Sequence, residues 1–188
     1  QQEWMTQIAE ARNDPVALGH NVLAQHMDAY PVDDVRHVFS FEEQLQQVKQ
    51  LKLAQVTQFH VDFYGASAAQ LALVGQVDPV EIKARLQSLF GDWQAHQPYQ
   101  RVPDPYHPVT PVALKLSTPD KANSWFSAAL PLPLSDTSPD YPALLLANYV
   151  FGQGGGLNSR LMLRLRQQEG LSYGAGADLS VSSDEANG

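Results

Sequence analysis

Residues 144–176, LLLANYVFGQGGGLNSRLMLRLRQQEGLSYGAG, constrain this chain more tightly than any other stretch. They read as an apolar helix, a glycine-rich turn, a second helix and then a strand. The second helix has a candidate N-cap in Asn158 or Ser159, whose side-chain oxygen can accept from otherwise free backbone N–H groups. Leu161, Met162 and Leu165 follow at helical spacing, and Gly170 stands where a left-handed C-cap belongs. Beyond it the helical stripe stops, and the small residues and partial alternation of GLSYGAGADLSVSS predict a strand. Arg166, in the last helical turn, and Tyr173, at the strand start, are seven residues apart and are expected to meet across the junction. A planar multi-donor cation beside a hydroxyl suits a peptide carbonyl, or the oxyanion that develops when one is attacked.

Composition sets the outer limits. With 188 residues the chain can form one well-buried domain or parts of two. Its 44% apolar and 17% charged residues describe a globular protein, not a disordered one. Twelve basic residues against twenty acidic ones give −8, with no run of Lys or Arg, so a nucleic-acid partner is not expected. The longest apolar run, 143–151, is interrupted by Asn148 and is too short to span a membrane. No cysteine is present, which removes disulfides and thiolate-bound zinc. The chain opens at QQEWMTQ and stops at SSDEANG, and it reads as a fragment of a longer protein.

Along the chain, helices are signalled by their caps. Residues 4–10 read as the end of a helix. Asp14-Pro15 starts the next, carrying Val16, Leu23 and Met27, and residues 28–38 read as a loop. Ser40 and Glu43 form a capping box ahead of Leu45, Val48 and Leu51, and a further helix is predicted over 54–63. Residues 70–74 read as a short apolar strand, followed by a helix opened by Asp78-Pro79 and ended at Gly91. Between 94 and 111 lie Pro98, Pro103, Pro105, Pro108 and Pro111, a density that favours an extended connector. Candidate strands over 112–116 and 124–130 follow, and Ser138-Pro139 is expected to cap a helix over 141–151.

The 144–176 stretch resembles the pitrilysin (insulinase) family of zinc peptidases, which includes the mitochondrial processing peptidases. The family's second motif is a small-residue turn, Ser-Arg-Leu opening a helix, then Arg, polar residues, Gly-Leu and an aromatic residue. Here these positions read Gly154-Gly155-Gly156, Ser159-Arg160-Leu161, Arg166, Glu169-Gly170-Leu171 and Tyr173. Upstream, FYGASAAQLALVGQVDPVEIKARLQSLFGDW looks like the family's closing strand and helix. The resemblance implies that Arg166 and Tyr173 contact the backbone of a bound substrate beside the scissile bond, with Gly154, Gly155 and Gly156 as the supporting turn.

The resemblance also implies an α+β fold, two-layered, with a mostly antiparallel sheet and helices on one face. Residues 1–93 would be the end of one pitrilysin-type domain, 94–110 a linker, and 111–188 the first part of the next domain. The implied function is that of the non-zinc portion of a zinc metalloendopeptidase, holding an extended peptide against a sheet edge. The alternative is a catalytically inactive family member acting as a structural or assembly subunit.

Zinc chemistry in this family needs His-x-x-Glu-His on a helix. None of the six histidines has that setting: His20 and His26 are six apart, on different helix faces, and His37, His60, His96 and His107 are isolated. Zinc is therefore expected outside this stretch, on a half in the same chain or in a partner subunit, with a peptide or small protein as substrate. The glycines of GQGGG lack the Lys-Ser/Thr of a P-loop and follow a helix, so they do not read as a phosphate cradle. Asp33, Asp34, Glu42 and Glu43 read as solvated or capping acids. The absence of Cys, a pI near 5.0 and the Gln/Ala-rich style suggest a periplasmic protein, with the cytoplasm as the alternative.

Overall fold

The structure, a computed structural model, describes residues 1–154 and 158–188. Among them the α-helices run in the order α1 (Gln2–Ala11), α2 (Pro15–Met27), α3 (Phe41–Gln50), α4 (Leu53–Phe63), α5 (Pro79–Phe90), α6 (Tyr141–Asn148) and α7 (Arg160–Met162). Two π-helical stretches, Tyr149–Gln153 and Leu163–Gln168, continue α6 and α7.

Caps legible in the sequence open several of these helices. The Asp14 carboxylate accepts from the Ala17 N–H at 2.8 Å, with Pro15 in the first turn of α2. Asp78 accepts from Val80 and Glu81 at the head of α5. At α3 the capping box is complete, with Glu43 N–H donating to Ser40 Oγ and Ser40 N–H donating to Glu43 Oε2. The opening of α6 differs from expectation. Ser138 Oγ accepts instead from the Ser135 N–H at 2.9 Å, and Asp140 precedes the helix without a side-chain cap.

The chain forms two compact units: Gln1–Arg12 with Ser40–Val102, and Asn13–Phe39 with Pro103–Gly188. In the first unit α1 lies against α3, where Ile8, Phe41 and Val48 are buried. Gln1 donates from its side chain to the Val48 carbonyl at 2.8 Å, and Arg12 pairs with Glu42 at 3.3 Å. Past α4 the backbone closes on itself, with Ala66 N–H donating to Trp93 O and Gln97 N–H to Asp62 O. An apolar cleft of about 610 Å³ lies between α5 and residues 66–77, lined by Leu71, Leu73, Ile82, Leu86 and Phe90.

In the second unit the 28–38 loop and the proline-rich segment are joined by side chains. Arg36 donates to the Pro103 carbonyl, and Tyr30 donates to Asp104 at 2.6 Å. His26, near the end of α2, lies 2.8 Å from the Thr110 carbonyl. Ser159 and Met162, at the start of the chain's last helical region, are buried.

The two-layer α+β arrangement is corrected by the structure. Among the described residues no strand ladder forms, and the one bridge is an isolated parallel pair, Ser135 with Ser182. Residues 70–74, 112–116, 124–130 and the stretch after Gly170 lack helix, as predicted, but none pairs into a sheet. Their apolar side chains stay open: Val74 is fully exposed, Phe126 is 86% exposed and Leu130 75%. The reason is physical. Strand preference measures fit to a pleated, half-buried surface, and the ladder hydrogen bonds must come from another stretch of backbone. Apolar residues are present here, and among the described residues no partner backbone pairs with them.

Candidate functional site

The site at the end of the second unit is built from α6, α7, their π continuations and residues 171–177. Ser159, buried, caps α7 by accepting from the Met162 N–H at 3.3 Å. The helix then widens into the π stretch that carries Arg166, an arrangement found disproportionately at functional positions. It ends at Gly170, whose φ of +63° is the left-handed conformation that glycine adopts without a Cβ penalty. The Leu171 N–H closes back on the Leu165 carbonyl at 2.9 Å. That acceptor is one residue further back than in an α-helical closure, because the π turn holds one residue more.

Residues 171–177 are fixed from beneath. Ala175 N–H donates to the Met162 sulfur at 3.1 Å, and Asn148 donates from its side chain to the Ala177 carbonyl at 3.2 Å. Gly152 lies so close that a Cβ there would collide with the Ala177 backbone nitrogen and the Leu161 side chain. Gly154 is equally constrained, since a Cβ would enter the Tyr149 ring. Gly155 and Gly156, the rest of the expected supporting turn, lie outside the described residues. Met162, Asn148 and Gly152 were missed by sequence reasoning. Only the glycine inside a helical pattern gave any signal, by marking close backbone approach.

The structure brings Arg166 and Tyr173 together. The guanidinium carbon stands over the phenol ring at 4.5 Å from its centre, a cation–π geometry worth about 0.5–1 kcal/mol at an exposed site. Arg166 is half-buried and Tyr173 is 85% exposed. Among the described residues neither the guanidinium edge nor the hydroxyl has a hydrogen-bond partner. The nearby Arg164 is already engaged, by Glu169 at 2.6 Å and Gln168 at 3.3 Å. The pair therefore offers a flat fork of N–H donors and one O–H donor to whatever approaches.

A zinc site does not fit these residues. Among the described residues no three or more His, Cys, Asp or Glu side chains gather where they could hold a metal. Each histidine is occupied otherwise. His20 meets Trp125 edge-on, and His60 stacks with Tyr64 and Trp93. His96 is 3.6 Å from Asp62, and His107 is 3.1 Å from the Tyr30 hydroxyl. His37 Nδ1 lies 2.7 Å from Asp28 and 2.9 Å from the Tyr30 carbonyl, two acceptors, so this nitrogen carries the proton. No helix among the described residues is long and apolar enough to cross a membrane.

The chain that carries this helix–turn–helix is similar to known proteins. Residues 50–187 match the family model described as the peptidase M16 inactive domain. The chain belongs to the peptidase M16 family, as its non-zinc portion. The crystal structure of a peptidase M16 inactive domain from Pseudomonas fluorescens shares the fold, with a TM-score of 0.64 and 22% identity. That similarity covers 96% of this chain and 42% of the other, so this chain spans less than half the length of its structural relative. No curated protein matches the chain.

Proposed function

We propose that this chain is the substrate-holding, non-zinc portion of a zinc-dependent metalloendopeptidase, with Arg166 and Tyr173 as the groups that meet the peptide. The observation that carries the reading is the pair in contact, with both polar groups free among the described residues. A bound peptide would place its scissile carbonyl oxygen at the guanidinium edge and the phenol hydroxyl. As charge develops on that oxygen, donors already fixed in place stabilise it without reorganising. The π turn, the Gly170 cap and the Ala175–Met162 contact hold both side chains in register. The zinc would be held outside these residues, on a half in the same polypeptide or in a partner subunit. The substrate is a peptide or small protein. The expected sheet edge has no counterpart among the described residues, so strand addition forms no part of this reading.

The second reading is a catalytically inactive subunit used for assembly. It is favoured by the exposed apolar side chains of the second unit, Trp125, Phe126 and Leu130. One experiment separates the two: peptide cleavage by the complete protein, or by this chain combined with its zinc-bearing half, for wild type and Arg166→Ala. Cleavage that depends on Arg166 supports the peptidase, whereas an assembly that forms normally and never cleaves supports the subunit. A periplasmic setting is proposed from composition alone, and fractionation of the host cell tests it.

A further inference from the structure

Arg166 has a property that a carbonyl-binding role leaves unused. Its guanidinium carbon stands over the Tyr173 ring while its N–H groups have no partner among the described residues, and the adjacent acidic group, Glu169, is held by Arg164. An edge of this kind matches two oxygens in one plane better than a single oxygen. Bidentate guanidinium–carboxylate pairs are stronger and more directional than bonds to a neutral carbonyl. The phenol hydroxyl of Tyr173, on the ring that the guanidinium meets, adds a further donor. Nothing else among the described residues competes for the fork.

We propose that Arg166 and Tyr173 form a site for a peptide α-carboxylate, the C-terminus of the N-terminal cleavage product. This rests on the peptidase reading. Hydrolysis forms a C–O bond from water to the scissile carbon and breaks the C–N bond, and both protons of that water pass to the departing nitrogen, giving an ammonium and a carboxylate. The carbonyl group held at the fork thereby becomes a carboxylate in the same place. The product then carries a full negative charge and a second oxygen against the same donors, and is held more tightly than the amide it came from. The site retains its product, and the N-terminal fragment inhibits the enzyme by occupying it.

The test uses the 188-residue chain and one fluorescent peptide in three forms: free C-terminal acid, C-terminal amide, and amide with one internal Glu. Anisotropy titration at low ionic strength gives the dissociation constants. The acid should bind about fivefold to tenfold more tightly than the amide, a difference that shrinks with added salt. Arg166→Lys keeps the charge and loses the fork, and should remove most of that preference. Tyr173→Phe keeps the stacking and loses one donor, and should weaken the acid and the amide together. Circular dichroism checks that each variant is folded. Equal binding of acid and amide, both lost in Arg166→Ala, overturns the carboxylate site and leaves the peptidase reading standing. An internal-Glu amide that binds as well as the acid also overturns it, since the site would then read side chains. Binding of all three forms unaffected by either residue sinks both this inference and the reading beneath it.

Discussion

The second unit contains two Arg–Tyr stacks, and they have opposite fates. Arg36 lies over the Tyr30 ring at 3.8 Å, and Arg166 lies over the Tyr173 ring at 4.5 Å. The first stack is fully engaged. Arg36 grips Asp34 through two bonds of 2.8 and 2.7 Å and donates to the Pro103 carbonyl. Tyr30 donates to Asp104 and receives His107 at its hydroxyl. Asp104 is in turn held by Asn187, which donates from its side chain to the Asp104 carbonyl at 2.8 Å. The second stack has no such partners among the described residues. The same pair of residue types is thus a structural knot in one place and an open set of donors in the other. Each guanidinium stands over a phenol ring, and what its N–H groups meet separates the two.

The electrostatics of the first stack follow from these bonds. The hydrogen bonds from Arg36 hold the Asp34 carboxyl down at about 2. Tyr30 is raised above its usual value, chiefly by its bond to Asp104. Burial alone would raise Asp28, but the N–H groups of Val38 and Tyr30, with His37 alongside, bring it below the ordinary range.

The largest expected effect falls on the open stack. In the complete peptidase, Arg166→Ala should reduce turnover by more than about 10²-fold, because charge and fork are lost together. Its melting temperature should stay near that of wild type. A parallel fall in stability would show that this stack is structural too, and would erase the contrast. Tyr173→Phe should cost on the order of 10²-fold in turnover, by loss of one donor to the oxyanion. Unchanged turnover would leave the hydroxyl without a catalytic role.

The engaged stack should show the reverse profile. Arg36→Ala frees Asp34, the Pro103 carbonyl and the Tyr30 ring at once, so the melting temperature should drop while any residual cleavage chemistry per folded molecule is kept. Acid titration sharpens this. Asp34 is depressed in the folded chain from 3.8 to about 2, so its contribution is present above pH 3.8 and is lost as pH falls toward about 2. Asp28 shifts in the same direction. Melting temperatures measured across that window should decline less steeply in Asp34→Asn than in wild type, and identical slopes would remove the knot from the acid response.

The smallest effect is expected at Gly170. Its φ of +63° is costly for a residue with a side chain, and Gly170→Ala should destabilise by about 1 kcal/mol. Denaturant unfolding measures it. Because this turn aims Tyr173 at Arg166, turnover should fall modestly as well.

Much of this was legible locally. Asp14-Pro15, Asp78-Pro79 and the Ser40–Glu43 box announce helix starts because a cap is a bond between residues two or three apart. Gly170 announces a left-handed turn because no other residue enters that conformation freely. The Arg166–Tyr173 encounter was readable for the same reason, as one helix end and one turn determine it. The ordered motif from Ser159 to Tyr173 also fixed the family, which the match over residues 50–187 shows.

What lay beyond the sequence depends on partners far along the chain. Strands were expected over 112–116 and 124–130, yet a ladder needs a second backbone, and a local reading does not supply one. Ser138 was expected to cap α6 but bonds to Ser135, because both choices are local and the fold selects between them. The Met162 sulfur beneath Ala175, and Ala177 against Gly152, join elements more than ten residues apart. Sequence set the residue types of both Arg–Tyr stacks. Only the tertiary structure, by bringing Asp104 and Pro103 to one and no described residue to the other, decided which of them keeps its donors free among the described residues.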